Sequence, residues 1–223
     1  MKGQGTMKTP NVAVVIAGCG SQDGAEIFET VFTLLELDRH NVKVNVFAPD
    51  QPQYRVVNHL TGENMPETRN VLIEAARLTR GNIRPLSALD PKEFDALILP
   101  GGTGVARNLS DLQLKQEHAQ VNKDLQQCIR EFYTLSKPIG AICIAPAIVA
   151  VALKGLTHPT ITLGSANALI SKLGALEEVC AADSMVVDES HKLVTTPAFM
   201  TDASLAEIHK GIARLVSKVI ELC

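Results

Sequence analysis

The sequence predicts a doubly wound α/β sandwich, and three observations carry that expectation. Val12–Ala17, Ala96–Leu99 and Ile139–Ile142 are short apolar runs without polar alternation, as expected of strands covered on both faces in a parallel sheet. Between such runs lie longer stretches with apolar residues at helical spacing, the signature of right-handed βαβ crossovers. Near the C-terminus the pattern changes to two short strands, Met185–Val187 and Leu193–Thr196, around the polar turn Asp188-Glu189-Ser190-His191. That segment reads as a β-hairpin.

Val42–Ala48 is a further strand. The first helix covers Ala25–Arg39, with Ile27, Val31, Leu34 and Leu35 as its apolar stripe. Glu67–Thr79 follows Pro66, a residue suited to a first helical turn. Gln113–Leu135 places Val121, Leu125, Ile129, Phe132 and Leu135 on one stripe, and Ala203–Leu222 does the same with Leu205, Ile208, Ile212, Leu215 and Val219. No linker or repeat divides the chain. One domain is expected over residues 10–223, after a disordered or appended tail over residues 1–9.

Composition narrows the function classes. The chain has 223 residues, 46% hydrophobic and 20% charged, which is ordinary globular usage. With 21 Lys+Arg against 24 Asp+Glu the net charge is −3, so no basic excess exists to neutralise a phosphate backbone and nucleic acid is not an expected partner. The run Pro138–Leu153 falls short of the roughly 20 residues of a spanning helix and is interrupted by Gly140 and Pro146; no membrane partner is expected. The N-terminal residues lack an apolar secretory core. The five cysteines are widely spaced, without a CxxC pair. They read as reduced thiols in a cytoplasmic protein, not as a zinc site or disulfide framework. No two histidines have metal-ligand spacing, and neither a metal nor a cofactor is expected.

Ligands of open α/β sheets bind beyond the carboxyl ends of the strands, so the strand exits are where chemistry is sought. Gly140-Ala141-Ile142-Cys143-Ile144-Ala145-Pro146 takes a buried strand directly into a helix. That is the geometry of a nucleophile elbow, with the helix N-terminus favouring thiolate. Spacing alone leaves open a buried structural cysteine. Pro100-Gly101-Gly102-Thr103-Gly104 offers backbone N–H groups for an oxyanion hole or, alternatively, a tight turn. Gly18-Cys19-Gly20-Ser21-Gln22-Asp23-Gly24 departs from the G-x-G-x-x-G dinucleotide fingerprint by one residue, although Asp50 follows the second strand. Glu26 opens the next helix, where an acid either complements the dipole or meets the Cys143 sulfur as an acid/base. Among the six histidines, His59 lies in a polar loop, His118 and His209 fall on helices and read as solvated, and His191 lies in the hairpin turn.

Several segments together resemble the ElbB-like family, the sigma cross-reacting or isoprenoid-biosynthesis-associated proteins of the class I glutamine-amidotransferase-like superfamily. That superfamily also contains the PfpI proteases and the parkinsonism-associated glyoxalase. The matching segments are Gly18–Ile27, Asn58–Glu63, Glu67–Gly81, Pro100–Gly104, Arg107–Ser110, Cys143–Ala147, Val186–Glu189 and Thr195–Met200. The resemblance implies a flavodoxin-like three-layer sandwich, with a mostly parallel sheet and a C-terminal hairpin. It also implies a reactive Cys143 with Glu26 as carboxyl partner, and a homodimer. Backbone groups of Gly101, Gly102 and Ile144 would bind an oxyanion or substrate, and His59, Cys19 and Asn108 are further site candidates from the matching segments.

Relatives convert α-oxoaldehydes to 2-hydroxy acids without glutathione or metal. The expected activity is therefore a glyoxalase III-type lyase: glyoxal or methylglyoxal to glycolate or lactate, through a Cys143 hemithioacetal. The alternative is a non-catalytic or redox-sensing regulatory protein associated with isoprenoid biosynthesis. An amidotransferase subunit is disfavoured, because Ile144 occupies the place of the histidine that follows the cysteine in PfpI-type proteases, and glutamine hydrolysis or peptide cleavage then lacks its proton carrier.

Overall fold

The computed structural model describes residues 9–223, so most of the expected tail lies outside the described residues. Seven strands form the central sheet: β1 Asn11–Val15, β2 Lys43–Ala48, β3 Arg84–Pro85, β4 Ala96–Leu99, β5 Ile139–Ile142, β6 Val186–Asp188 and β7 Leu193–Thr196. Their order is β6–β7–β5–β4–β1–β2–β3. Every pairing is parallel except that of β6 with β7, the hairpin. The flavodoxin-like three-layer architecture expected from the sequence is the one observed.

Alternation along β1 divides the core in two. Ala13 and Val15 face one layer with Leu97, Leu99, Ile139 and Ala141. That layer is covered by α4 (Lys123–Thr134) through Leu125, Ile129 and Phe132, and by α5 (Ala145–Leu153). Val12 and Val14 face the other layer with Ala96 and Ile98, covered by α7 (Leu205–Glu221) through Ile208, Ile212 and Leu215. The first helix, α1 (Ile27–Arg39), packs on α7. Close approach of α7 depends on two residues without a side chain. A Cβ on Gly140 would lie 2.9 Å from a Leu215 methyl, and one on Gly211 would lie 2.0 Å from the Ala182 carbonyl oxygen.

Two expected helices are shorter than their patterns. Helix α2 covers only Val71–Ala75. Before it the chain is tied to the segment after β2, with the Gln53 N–H donating to the Arg69 carbonyl at 2.7 Å and the Val71 N–H to the Gln51 carbonyl at 2.9 Å. Backbone committed to those bonds is extended, and the helix starts only at the Asn70 cap. The stretch Gln113–Leu135 breaks into α3 (Leu112–Lys115), a 3₁₀ turn over Gln116–His118, and α4. Asn122 restarts the helix by accepting the N–H groups of Asp124 and Leu125. A short α6 (Leu169–Lys172) packs beside that 3₁₀ turn.

The first helix is present, but of its expected apolar stripe only Leu34 packs on the core, and the other three residues face outward. Ile27, Val31 and Leu35 are exposed, as is Phe28, whereas Glu29, Thr30, Thr33, Glu36 and Leu37 are buried. Likewise His209 on α7 is not simply solvated: its Nε2 lies 2.7 Å from the buried Glu36 carboxylate and its ring edge packs on Phe32. Among the described residues no helix is long and apolar enough to cross a membrane.

Gly211→Ala tests the close contact of α7. Alanine in an exposed helix normally stabilises relative to glycine by up to about 1 kcal/mol. Here the added methyl has backbone in its path, so urea unfolding should show a loss of about 1–3 kcal/mol.

Candidate active site

The exits of β1, β4 and β5 converge where the connections reverse direction on either side of β1, the usual position of a site in such sheets. Two glycine-rich loops meet there backbone to backbone. The Gly104 N–H donates to the Gly24 carbonyl at 2.8 Å, the Glu26 N–H to the Gly101 carbonyl at 2.9 Å and the Thr103 N–H to the Ser21 carbonyl at 2.9 Å. A Cβ on Gly102 would lie 2.3 Å from the Glu26 nitrogen, and one on Gly24 2.4 Å from the Cys19 nitrogen. Loop-to-loop contact therefore explains the glycines of Gly18–Gly24 without a dinucleotide. Asp50 is engaged by the Asn70 side-chain amide at 2.8 Å.

Cys143 stands at the third exit. Its N–H still pairs with the Thr196 carbonyl of β7 at 2.9 Å, and its own φ is +62° before Ile144 caps α5. A left-handed conformation in a residue other than glycine is strained and marks an elbow that presents the side chain at its apex. The backbone N–H groups of Gly102 and Ile144 favour the thiolate. Burial nevertheless pushes the thiol well above its ordinary value, and the neighbouring charge of Glu29 pushes it further.

The carboxyl that meets the sulfur is Glu29, one helical turn beyond Glu26. It is fully buried. One oxygen accepts the Gly101 N–H at 2.8 Å, while Oε1 has no hydrogen-bond partner among the described residues; a Cβ on Gly101 would lie 2.5 Å from that of Cys143 and 2.7 Å from the Glu29 carboxyl, so the two side chains flank the same glycine. Burial first, and the Glu26 charge second, push Glu29 up to about 8. This corrects the expectation for Glu26, whose Oε2 accepts the Glu29 N–H at 2.7 Å and caps α1. Glu26 remains the carboxyl in the cavity wall, and burial raises it too against the pull of the backbone N–H groups at the cap. The Gly101 role is corrected as well. Its N–H is spent on Glu29, and a Cβ there would lie 2.5 Å from that of Cys143, so Gly101 gives the thiol and acid room to meet.

A cavity of about 630 Å³ opens over the elbow, lined at its floor by Cys143, Ile144, Gly102 and Glu26. The other expected residues do not line it. The His59 Nε2 accepts the Gln22 N–H at 3.2 Å, so its Nδ1 carries the proton and donates to the Val57 carbonyl at 3.0 Å. Asn108 is a buried brace: its amide donates to the Ala17 and Asp23 carbonyls at 2.9 Å each, and its oxygen accepts the Tyr54 N–H at 2.9 Å. The Cys19 thiol, half-buried near Glu74 and Arg77, is raised by burial first. Among the described residues, no histidine lines the cavity and no group of three or more His, Cys, Asp or Glu is placed to hold a metal.

Glu29 is the residue that sequence reasoning missed. Its signal was available. Glu29, Thr30, Thr33 and Glu36 make the polar face of a helix whose other face is apolar, and a carboxyl three residues beyond a cap recurs on the side of that cap.

The DJ-1/PfpI family profile matches residues 13–207, and the chain belongs to that family. It is 41% identical over 225 residues to the mitochondrial ES1 protein homolog of Rattus norvegicus, covering 95% of this chain and 83% of that protein. It is equally identical, over 95% of this chain and 82% of the relative, to the mitochondrial glutamine amidotransferase-like class 1 domain-containing protein 3 of Homo sapiens. Among solved structures it is similar to the isoprenoid biosynthesis protein with amidotransferase-like domain from Ehrlichia chaffeensis, with 39% identity, a TM-score of 0.92, and 96% and 99% of the two chains covered. These relatives overturn the cytoplasmic expectation, since the curated ones, including the ES1 protein of Danio rerio, are named as mitochondrial.

Glu29 ionises near 4.5 in the unfolded chain and near 8 in the native protein. Between those values the native state holds the extra proton, so ionisation penalises it and stability falls as pH rises. Glu29→Gln removes the penalty. Its melting temperature should exceed that of the wild type at about pH 8, with a flatter dependence between about pH 5 and 8; a variant that parallels the wild type across that window contradicts the assignment.

Proposed function

Taking membership of the DJ-1/PfpI family as the premise, we propose that this protein is a cofactor-independent α-oxoaldehyde hydratase of the glyoxalase type, with Cys143 as nucleophile. The observation that carries the reading is a strained cysteine at the floor of a cavity, with the fully buried carboxyl of Glu29 packed behind it.

The sulfur adds to the aldehyde carbon, forming the C–S bond. The thiol proton passes by way of Glu29 to the former carbonyl oxygen, giving a hemithioacetal. Glu26, the carboxyl that lines the cavity among the described residues, takes the remaining hydrogen of that carbon as a proton and gives it to the neighbouring carbonyl oxygen, forming an enediol; it then takes the hydroxyl proton of the sulfur-bearing carbon and gives it to the adjacent carbon. The product is a thioester of a 2-hydroxy acid. One carbon is oxidised and its neighbour reduced, so no external oxidant or reductant is needed. Water then cleaves the C–S bond, releasing the hydroxy acid and restoring the thiol. The N–H groups of Gly102 and Ile144, residues that line the cavity beside Cys143, would receive the oxyanion on the attached carbon; such donors are worth about 3–4 kcal/mol each where measured.

Reversible proton transfer suits acids whose pKa lies near the working pH, and burial moves both carboxyls in that direction. A redox sensor works with an accessible, low-pKa thiol. The thiolate is the reactive form in both roles, so burial of Cys143 does not separate them; the carboxyls of Glu29 beside it and Glu26 in the cavity wall favour the enzymatic reading.

The two carboxyls separate experimentally. Cys143→Ala should abolish conversion of methylglyoxal to lactate. Glu29→Gln should lower turnover and also shift the pH dependence of Cys143 alkylation by iodoacetamide. Glu26→Gln should lower turnover by at least about 10²-fold with the alkylation profile unchanged. Turnover that survives Cys143→Ala in a folded protein overturns the mechanism.

We also propose that the protein is a homodimer. Its first helix leaves Ile27, Phe28, Val31 and Leu35 between 39% and 45% exposed. The Phe28 ring continues the patch to Phe199, with centroids 6.2 Å apart. An apolar face of this extent on a helix marks an association surface. Light scattering should give twice the chain mass for the wild type and the chain mass for Val31→Glu with unchanged circular dichroism. A monomeric wild type contradicts the proposal.

A further inference from the structure

The cavity over Cys143 is far larger than its proposed chemistry needs. Glyoxal and methylglyoxal have four and five non-hydrogen atoms, whereas about 630 Å³ falls within the range of about 300–1,000 Å³ that encloses drug-sized molecules. Exposure orders the walls. Cys143, at 8%, is the floor, and the partly exposed to exposed Gln113, Gln116, Asn167 and Lys172 are the mouth. Between them the wall is apolar, built from the buried Ala106 and Leu112 and the half-buried Ile144 and Leu169, with the exposed Phe199 and Met200 continuing it to the rim.

Charge in this wall is sparse and separated. Glu26 is the one acidic side chain lining it and Lys172 the one basic side chain, among the described residues. The Lys172 ammonium is only loosely held, 4.0 Å from Glu117, with its side chain 57% exposed. Lys154, outside the cavity lining, donates from Nζ to the Lys172 and Glu117 carbonyls at 3.2 and 3.3 Å and joins α6 to the 3₁₀ turn, which fixes the backbone that carries Lys172.

Building on the proposed chemistry at Cys143, we infer that the substrate bears its α-oxoaldehyde on an apolar body that ends in an anionic group, and that Lys172 selects that group. The reactive head reaches the floor, the body covers the apolar wall, and the anion meets the ammonium at the mouth. A carboxylate and a phosphate are equivalent in this role; the chemistry read is a negative charge beyond an apolar spacer. Lys172 is a specificity residue and takes no part in bond making.

Three α-oxoaldehydes of graded size and charge test this: methylglyoxal, 4-carbamoylphenylglyoxal and 4-carboxyphenylglyoxal. Rates are normalised to each compound's addition to a free thiol. The neutral aryl compound should exceed methylglyoxal in kcat/KM by at least about tenfold, the scale on which apolar pockets discriminate. The carboxylate should exceed the carbamoyl compound by about threefold at low salt, as expected of a half-exposed ion pair, and the gain should vanish at about 0.5 M salt. Lys172→Met should erase that gain, read as the ratio of the carboxylate to the carbamoyl compound within each variant. Equal kcat/KM for methylglyoxal and the aryl compounds, or a carboxylate preference that survives Lys172→Met, overturns the inference.

Binding separates this inference from the chemistry it builds on. With Cys143→Ala protein, which cannot react, titration calorimetry compares 4-acetylbenzoate with 4-acetylbenzamide. Tighter binding of the benzoate that disappears on adding Lys172→Met supports the specificity site even if no aldehyde is turned over. Equal binding of the two with Lys172 present overturns it even if methylglyoxal is.

Discussion

A thiol and a carboxylic acid occupy one water-poor space at the end of β5, and much of the surrounding structure serves to keep them together. Both would be more stable apart and in water, since burial penalises the charged form of each. The fold offsets that cost with directed backbone donors. Gly101 supplies one to the acid, and those of Gly102 and Ile144 favour the thiolate. The strained φ of Cys143 is sustained in the same way, by the bond of its N–H to β7 on one side and by a wholly buried helix on the other.

This arrangement requires backbones to approach more closely than side chains allow, and glycines supply that approach. The loops after β1 and β4 interlock through main-chain bonds, and a Cβ on Gly24, Gly101 or Gly102 would lie 2.3–2.5 Å from a neighbouring atom. Without that contact Gly101 could not bring its N–H to Glu29 while leaving Cys143 beside it. The glycine runs are thus part of the positioning of the pair, and only Gly102 among them also lines the cavity among the described residues.

The strands were legible because a parallel sheet buried on both faces demands uninterrupted apolar residues, and Ala96–Leu99 and Ile139–Ile142 have the extents read from the sequence. The cysteine elbow was legible for the same reason, as a cysteine where such a run turns into a helix. Helix ends were less so. Asn70 and Asn122 mark true starts, but long-range backbone bonds near residues 51–53 and the interruption at Gln116–His118 cut helices that periodicity alone extends. The orientation of α1 misled most. Local pattern assigns the apolar stripe to the core, and here much of the core-facing side is polar because Glu29 must reach Cys143 and Glu36 must meet His209. Local rules fail at positions that function dictates.

The same orientation limits the chemistry. Hydrolysis of an amide needs a group that hands a proton to a departing amine, and histidine ordinarily fills that role. Ile144 follows the cysteine here, His59 is engaged by Gln22 and Val57, and the ionisable groups at the sulfur and floor are two carboxyls. Carboxyls raised by burial can take a proton and return it to a neighbouring atom, which is what migration of hydrogen between adjacent carbons requires. No amine leaves in that reaction, and the redox change is internal to the substrate. On the function proposed above, the residues that α1 turns inward serve isomerisation of an α-oxoaldehyde, and they lack the proton carrier that cleaving glutamine needs.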